Sequence, residues 1–283
     1  MKVVVTGATG FVGRHVVACF LREGHTVVAV ARDAQRAATM PWRKQVKFVS
    51  CDLAADFQLV VEHSGEADVL VHLAWPGLPN YRDFFHIGRN LPADLAFLEA
   101  AVAAGTRQLM VAGTCLEYGM QHGPLTEEME TRPHTPYGFA KDALRKSLEM
   151  LQKQRPFTLQ WLRLFYMYGE GQNPNSLLAQ LDRAIERGDA VFNMSAGDQL
   201  RDYLPVEEVA ADFVRAATNP ERCSGAINCC SGRPISVFDL VRQRCESRAS
   251  PIQLNRGHYP YPDYEPMAFW GVPAKLAPLR QVT

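Results

Sequence analysis

Val3-Val4-Val5-Thr6-Gly7-Ala8-Thr9-Gly10-Phe11-Val12-Gly13 is the stretch that decides the fold. Three valines in a row are an apolar run of the kind expected of a strand buried on both faces in a parallel sheet. Beyond the glycines, Val16, Val17, Phe20 and Leu21 recur with helical spacing, and the pattern stops at Gly24. Strand, glycine turn and helix form the setting in which G-x-x-G-x-x-G carries a mechanism. The glycines let the backbone approach a pyrophosphate, which then meets the N–H groups of a helix N-terminus. Gly7, Thr9, Gly10, Phe11, Val12 and Gly13 are therefore the expected dinucleotide contacts.

Working outward, β and α patterns alternate for about 165 residues. A second strand, Thr26 to Val30, ends in Ala31-Arg32-Asp33, with Arg36 close by. An acid closing this strand accepts from a ribose 2′-hydroxyl, whereas an arginine favours a 2′-phosphate. Alanine holds the acid position and Arg32 follows it, so NADP(H) is expected over NAD(H). A third strand, Val46 to Ser50, leads into Cys51-Asp52-Leu53. A fourth ends in Val71-His72-Leu73-Ala74-Trp75, at the carboxyl edge where open α/β sheets keep their ligands. His72 reads as a packed, hydrogen-bonded histidine, since no second ligand stands at metal spacing and no metal is expected. The long aromatic loop from Trp75 to Arg89 is expected to contribute to a binding site. Asn90 then leads a helix to Gly105. A fifth strand, Arg107 to Ala112, delivers Gly113-Thr114-Cys115-Leu116-Glu117-Tyr118-Gly119 to the same edge, and Thr158 to Leu164 forms a sixth.

Between those last two strands lies Thr135-Pro136-Tyr137-Gly138-Phe139-Ala140-Lys141. Thr135 and Pro136 read as N-cap and first residue of a helix. Tyr137 and Lys141, four apart, then share one helical face. The ammonium and the helix N-terminus are both expected to favour phenolate and to pull the tyrosine pKa down from about 10. Alone, this spacing recurs on many solvated helices; the glycine turn and Thr114 upstream give it weight.

Bulk composition excludes several classes. Among 283 residues, 47% hydrophobic and 21% charged, thirty basic side chains balance thirty acidic ones. No long run of one sign supports a nucleic-acid or membrane footprint. The seven cysteines form no C-x-x-C pair and read as reduced thiols of a cytoplasmic protein. After Gly169 the character changes: a loop through Asn175 precedes a helix from Ser176 to Arg187, then short strands and a helix, Val206 to Ala217, lead into Gly225 to Cys229, a helix from Ser236 to Cys245, and an irregular end from Asn255 to Val282. The expected architecture is α/β, with a doubly wound parallel sheet over 1–168 and a smaller lobe over 169–283, from which segments near 190–217 return to the first domain.

With Thr6-Gly7-x-x-Gly10-x-x-Gly13, Thr114 and Tyr137-x-x-x-Lys141 in this order, the chain resembles the extended short-chain dehydrogenase/reductases, over most or all of its length. The resemblance implies a Rossmann-like fold, with Thr114, Tyr137 and Lys141 as the catalytic set. It also implies cofactor contacts at Asp52, Leu53, Leu73, Ala74, Trp75, Asn90 and Leu164. A closer likeness is to bacterial dTDP-4-keto-6-deoxyhexose reductases. It rests on His72-Leu73-Ala74-Trp75 with Gly77-Leu78-Pro79-Asn80-Tyr81, on Gly113 to Gly119, and on Phe165-Tyr166-Met167-Tyr168-Gly169-Glu170-Gly171-Gln172-Asn173. That likeness implies a dTDP-hexose substrate contacted by Trp75, Thr114, Cys115, Glu117, Tyr118, Tyr137, Asn175 and Arg201, with Arg201 on the diphosphate. It further implies hydride transfer at the hexose C4 in polysaccharide precursor synthesis, and a homodimer through the helices led by Asn90 and Tyr137.

Sister reactions of the resembled family need groups that are absent here. A 4,6-dehydratase requires an acid pair just after the Ser/Thr, where this chain has Cys115 and Leu116. A 3,5-epimerase/reductase requires cysteine at the Leu116 position; Cys115, one earlier, is expected on strand alternation to point elsewhere. A 4-epimerase needs a tightly kept NAD, against which the Arg32 strand end argues. A non-catalytic dinucleotide sensor would keep the fold without needing the Tyr/Lys pair.

Overall fold

The computed structural model describes residues 1–281; Val282, which closes the stretch read above as irregular, lies outside them. The strands in chain order are β1 (Lys2–Thr6), β2 (Thr26–Ala31), β3 (Lys47–Ser50), β4 (Val69–His72), β5 (Gln108–Thr114), β6 (Gly123–Leu125) and β7 (Thr158–Leu164). They continue with β8 (Tyr166–Tyr168), β9 (Val191–Asn193), β10 (Leu200–Pro205), β11 (Gly225–Cys229), β12 (Pro234–Ser236), β13 (Gln253–Asn255) and β14 (Phe269–Gly271). The α-helices are α1 (Phe11–Arg22), α2 (Ala34–Ala38), α3 (Gln58–Gly65), α4 (Leu91–Ala103), α5 (Pro136–Gln154), α6 (Leu177–Arg187), α7 (Val206–Thr218), α8 (Val237–Ser247) and α9 (Ala277–Arg280).

A seven-stranded sheet runs β11-β7-β5-β4-β1-β2-β3, with every neighbouring pair parallel. The chain leaves β1 in one direction for β2 and β3 and returns on the other side for β4. This is the switch point where such sheets open a crevice for a ligand. Alternation along β1 explains the unbroken valines: Val3 and Val5 join one core with α1 and α7, while Val4 joins another with α3, α4 and α5.

Two features refine the expected partition. The return to the sheet spans 206–229, overlapping the expected 190–217 in α7: that helix packs its Val209, Ala210 and Phe213 into the core shared with α1, and β11 pairs with β7 as an edge strand. The helix-period pattern of α7 is visible in sequence, but a five-residue edge strand carries too little pattern to be assigned to a sheet. The tail beyond Asn255 is not wholly irregular. Phe269–Gly271 pairs in parallel with Gly123–Leu125, and α9 closes the chain beside α7, where Arg280 pairs with the buried Asp212. The remaining lobe is built on α6 and α8, whose Leu178, Leu181, Val237 and Val241 share a small core. Arg244 on α8 pinches Asp182 on α6 with two bonds of 2.8 and 2.7 Å.

Candidate active site

The glycine turn is tight for reasons internal to the fold. A Cβ on Gly13 would stand 2.1 Å from the Gly7 carbonyl oxygen, so α1 can lie this close to the turn only with glycine there. Gly10 is the N-cap of α1 and supplies no side-chain acceptor, which leaves the first amides of a twelve-residue helix uncapped at the switch point. The Thr6 hydroxyl accepts from the Leu73 and Ala74 amides at 3.2 and 3.4 Å, tying β1 to the end of β4. This cradle, which a side chain would fill, fits the pyrophosphate of a dinucleotide. At the outer edge, a cavity of about 240 Å³ at the end of β3 is lined by Val49, Cys51, Asp52, Ala55 and Leu59, among others. Leu53 packs beside it on the second core. Arg32 is exposed, and the Asp33 carboxylate caps α2 by accepting from the Arg36 amide at 2.9 Å.

At the other side of the crevice, β5 ends at Thr114 and a single 3₁₀ turn, Cys115–Glu117, follows. The Thr135 hydroxyl caps α5 by accepting from the Gly138 amide at 3.1 Å, with Pro136 at the first position, as expected. A Cβ on Gly138 would lie 2.6 Å from the Leu116 carbonyl oxygen, so glycine lets the start of α5 press against the 3₁₀ turn. That approach sets the Tyr137 phenol where the Thr114 hydroxyl acts on its electrostatics. The Lys141 ammonium, 2% exposed, sits 3.9 Å from the centre of the Trp75 ring. A cation over an indole is stabilised by roughly 0.5–2 kcal/mol.

The electrostatics reverse one expectation. Burial holds the Tyr137 phenol well above its ordinary range, helped by Tyr81, Glu117 and Cys115; the Thr114 hydrogen bond works the other way. Lys141 is itself pushed down to about 8 by burial, against the pull of Asp94 and Glu117. Taking the phenolate out of water is thus the largest influence on Tyr137, and it acts opposite to the lowering expected from the Tyr-x-x-x-Lys spacing. Tyr137 is packed by the rings of Tyr81, His86 and Trp75, at 5.6, 5.2 and 5.9 Å between centroids. Burial therefore favours the phenol over the phenolate at Tyr137.

Cys115 lies in the 3₁₀ turn, beyond the end of β5, and is buried in a cluster with Tyr118, Leu125, Phe165, Cys230 and Phe269. Burial keeps it a thiol.

Residues 3–230 match the family described as "NAD dependent epimerase/dehydratase family". The chain belongs to that family. It is 29% identical, over 96% of its own length and 99% of the relative's, to a dTDP-6-deoxy-L-talose 4-dehydrogenase (NAD(+)) of Aggregatibacter actinomycetemcomitans. It is 26% identical to a UDP-glucose 4-epimerase of Neisseria meningitidis serogroup C, over 85% of this chain and 80% of that one. Among solved structures, MoeE5 in complex with UDP-glucuronic acid and NAD superposes with a TM-score of 0.84 at 28% identity, covering 99% of this chain and 93% of that one. The UDP-glucose-4-epimerase of Stenotrophomonas maltophila, at 22% identity and a TM-score of 0.87, shares the fold over 99% of this chain and 92% of its own.

Within this epimerase/dehydratase chain, other expected site residues are placed less uniformly. Asn90 is buried and donates to the Pro76 carbonyl at 3.0 Å, anchoring the loop after β4. Leu164 ends β7 opposite Thr114. Asn175 lies exposed on the loop before α6, its amide bonded to Asn173. Arg201 is buried on β10, donates to Glu265 at 3.1 Å and lies over the Phe269 ring. Glu117 and Tyr118, expected at the substrate, turn into the protein and are 0% exposed. Glu117 accepts from the Thr114 amide, the Trp161 indole and the Arg163 guanidinium, each at 2.8 Å. The Tyr118 hydroxyl donates to Asn228 and accepts from Arg163.

Sequence reasoning missed the pairing of His72 with Asp94, at 2.9 Å, and the contribution of Tyr81 and His86 to the wall around Tyr137. The density of aromatics between residues 75 and 89 was the available signal. Among the described residues, no cluster of three or more His, Cys, Asp or Glu is arranged to hold a metal, and no helix is long and apolar enough to cross a membrane.

Proposed function

We propose that this chain is a nucleotide-sugar C4 ketoreductase, acting on a dTDP-4-keto-6-deoxyhexose in deoxysugar synthesis. One observation carries the reading: Tyr137 and Lys141 are buried together against the Trp75 ring at the end of β5, where Thr114 stands and no acid pair follows it. A nicotinamide dinucleotide, when bound, supplies the hydride for carbonyl reduction or accepts one in the reverse direction. The glycine cradle would hold its pyrophosphate, the cavity at Asp52 its adenine side, and Lys141 its nicotinamide ribose. Tyr137 gives its proton to the alkoxide developing at C4, and being un-ionised at neutral pH it is suited to that direction. Thr114 hydrogen-bonds the same oxygen and orients it, a contribution of roughly a few kcal/mol at most. Arg201 is the residue for the diphosphate, which would compete there with the Glu265 carboxylate. The protein would act as a cytoplasmic homodimer seated on α4 and α5, where Phe139 and Met150 are exposed.

The test mixes the full chain with NADPH or NADH and dTDP-4-keto-6-deoxyglucose and follows nicotinamide absorbance, with product stereochemistry assigned by NMR. Stoichiometric oxidation of the cofactor is expected. No oxidation with any 4-keto-6-deoxyhexose nucleotide sinks the proposal. An isomerised sugar without net cofactor use would support a 4-epimerase, the activity named for several relatives. Light scattering on the same sample should return twice the chain mass.

For the cofactor, Arg32 is exposed just after β2 while Asp33 is engaged in capping α2, which favours NADP(H). The dTDP-6-deoxy-L-talose 4-dehydrogenase and MoeE5 are both described with NAD, which favours the unphosphorylated cofactor. Arg32→Ala should raise the KM for NADPH by roughly tenfold and leave NADH nearly unchanged. Equal effects on both would refute a 2′-phosphate role.

A further inference from the structure

Two N–H donors converge on one nitrogen of a buried histidine. The Trp75 indole donates to His86 Nδ1 at 3.0 Å, and the Asn90 amide points at the same atom from 3.4 Å. Nδ1 must then carry the lone pair. The other ring nitrogen, Nε2, lies 3.0 Å from the Asn80 carbonyl oxygen and donates to it. The surroundings therefore select one neutral tautomer. The ring is 0% exposed and lies between Phe85, at 4.2 Å, and Tyr137, at 5.2 Å. Trp75 stacks on it at 17° between planes, and the same indole carries the Lys141 ammonium. A continuous path thus runs from His86 through Trp75 to Lys141.

We propose that neutral His86 is a positioning residue: it fixes the Trp75 indole beneath Lys141, and its protonation releases both. A proton on Nδ1 would set a third donor against the two already aimed there and would place a second cation beside Lys141. The groups facing the ring are Trp75, Asn80 and Asp83 from the loop after β4, Asn90 from its own turn, and Tyr137 and Lys141 from α5. Burial lowers the pKa of His86 from its ordinary 6.5 and the Lys141 charge lowers it further, while the Asn80 carbonyl and Asp83 pull upward. The site is therefore assembled above that depressed pKa and loosens as pH falls through it.

The consequence for turnover rests on the proposed role of Lys141; the structural test does not. In full-length protein labelled with ¹⁵N-tryptophan, the Trp75 indole signal is identified by its absence in Trp75→Phe. On acidification it should move with a midpoint below 6.5. Trp42, bonded to the Arg14 carbonyl at 3.1 Å, and Trp161, bonded to Glu117 at 2.8 Å, should stay in place as internal references. In His86→Asn, the side-chain oxygen can take the place of Nδ1 as acceptor and cannot titrate. The Trp75 signal should then hold its bonded position at every pH, and kcat/KM should lose its acid limb while staying within a few-fold of wild type. His86→Leu, with no acceptor, should show an unbonded Trp75 at every pH and turnover lower by about 10- to 100-fold. A wild-type Trp75 signal that ignores pH overturns the proposal, as does an acid limb unchanged in His86→Asn. Should His86→Leu fail to fold, the wild-type and asparagine titrations still decide it. A protein inactive with every sugar tested but showing the predicted shifts would reject the ketoreductase reading and leave the His86–Trp75 link standing.

Discussion

Tyr137→Phe should lower kcat by roughly 10²- to 10⁴-fold, the usual contribution of a positioned general acid, and leave the dissociation constant of the dinucleotide within about twofold. The substitution removes one hydroxyl and keeps the ring. That ring is gripped by Trp75, Tyr81 and His86, and the Tyr137 amide donates to the Tyr81 carbonyl at 3.1 Å, none of which needs the phenol oxygen. The fold and the neighbouring Lys141 should therefore be unmoved, and thermal unfolding should change little. The phenol oxygen meets the reacting oxygen most strongly as charge develops, so kcat and kcat/KM should fall together. Steady-state kinetics with a 4-keto-6-deoxyhexose nucleotide, together with equilibrium cofactor binding, make the check. A variant within tenfold of wild-type turnover would remove Tyr137 from the mechanism. Thr114 gives a less clean experiment, because its hydroxyl also accepts from the Leu116 amide at 3.2 Å and so caps the 3₁₀ turn.

The first eleven residues after Lys2 specify much of the architecture because each local preference there agrees with the global fold: a two-sided strand, a turn that only glycine can pack, and a helix with a free N-terminus. Periodicity located the strands of the sheet through β7 for the same reason. It could not assign β11 or β14, which are five and three residues long and take their places from partners more than a hundred residues away in one case and sixty or so in the other. The catalytic set was legible as residue types at a spacing; its electrostatics were not. The Tyr137 pKa is set first by how deeply the phenol is buried, and that depends on Trp75, Tyr81 and His86, aromatic rings from a loop without periodicity. His86 was invisible as a positioning residue because its two donors come from eleven residues before and four after, a relation that exists only once the loop has folded.

Glu117 shows the same limit with the largest consequence for stability. The family resemblance implies that it contacts substrate, yet its carboxylate is buried beneath the site and binds Arg163, itself 1% exposed, along with the Trp161 indole and the Thr114 amide. Arg145 on α5 approaches the same carboxylate at 3.9 Å. Glu117→Gln preserves the shape but removes the charge, and its amide can present N–H donors to a guanidinium that needs an acceptor. Breaking a buried ion pair by changing one partner destabilises by about 3–5 kcal/mol, since the other charge is left uncompensated. In a chain of this size that corresponds to a fall in Tm of roughly 5–8 °C. Urea titration at fixed pH measures the free energy directly, and the midpoint should drop with little change in slope. Arg163→Met alone should also destabilise, whereas the double variant Glu117→Gln/Arg163→Met should recover part of the loss, because neither charge is then stranded. A substrate contact would give the opposite pattern: an increased KM for the nucleotide sugar, an unchanged urea midpoint and no recovery in the double variant. That outcome would place Glu117 in the cleft and undo the buried network described for it.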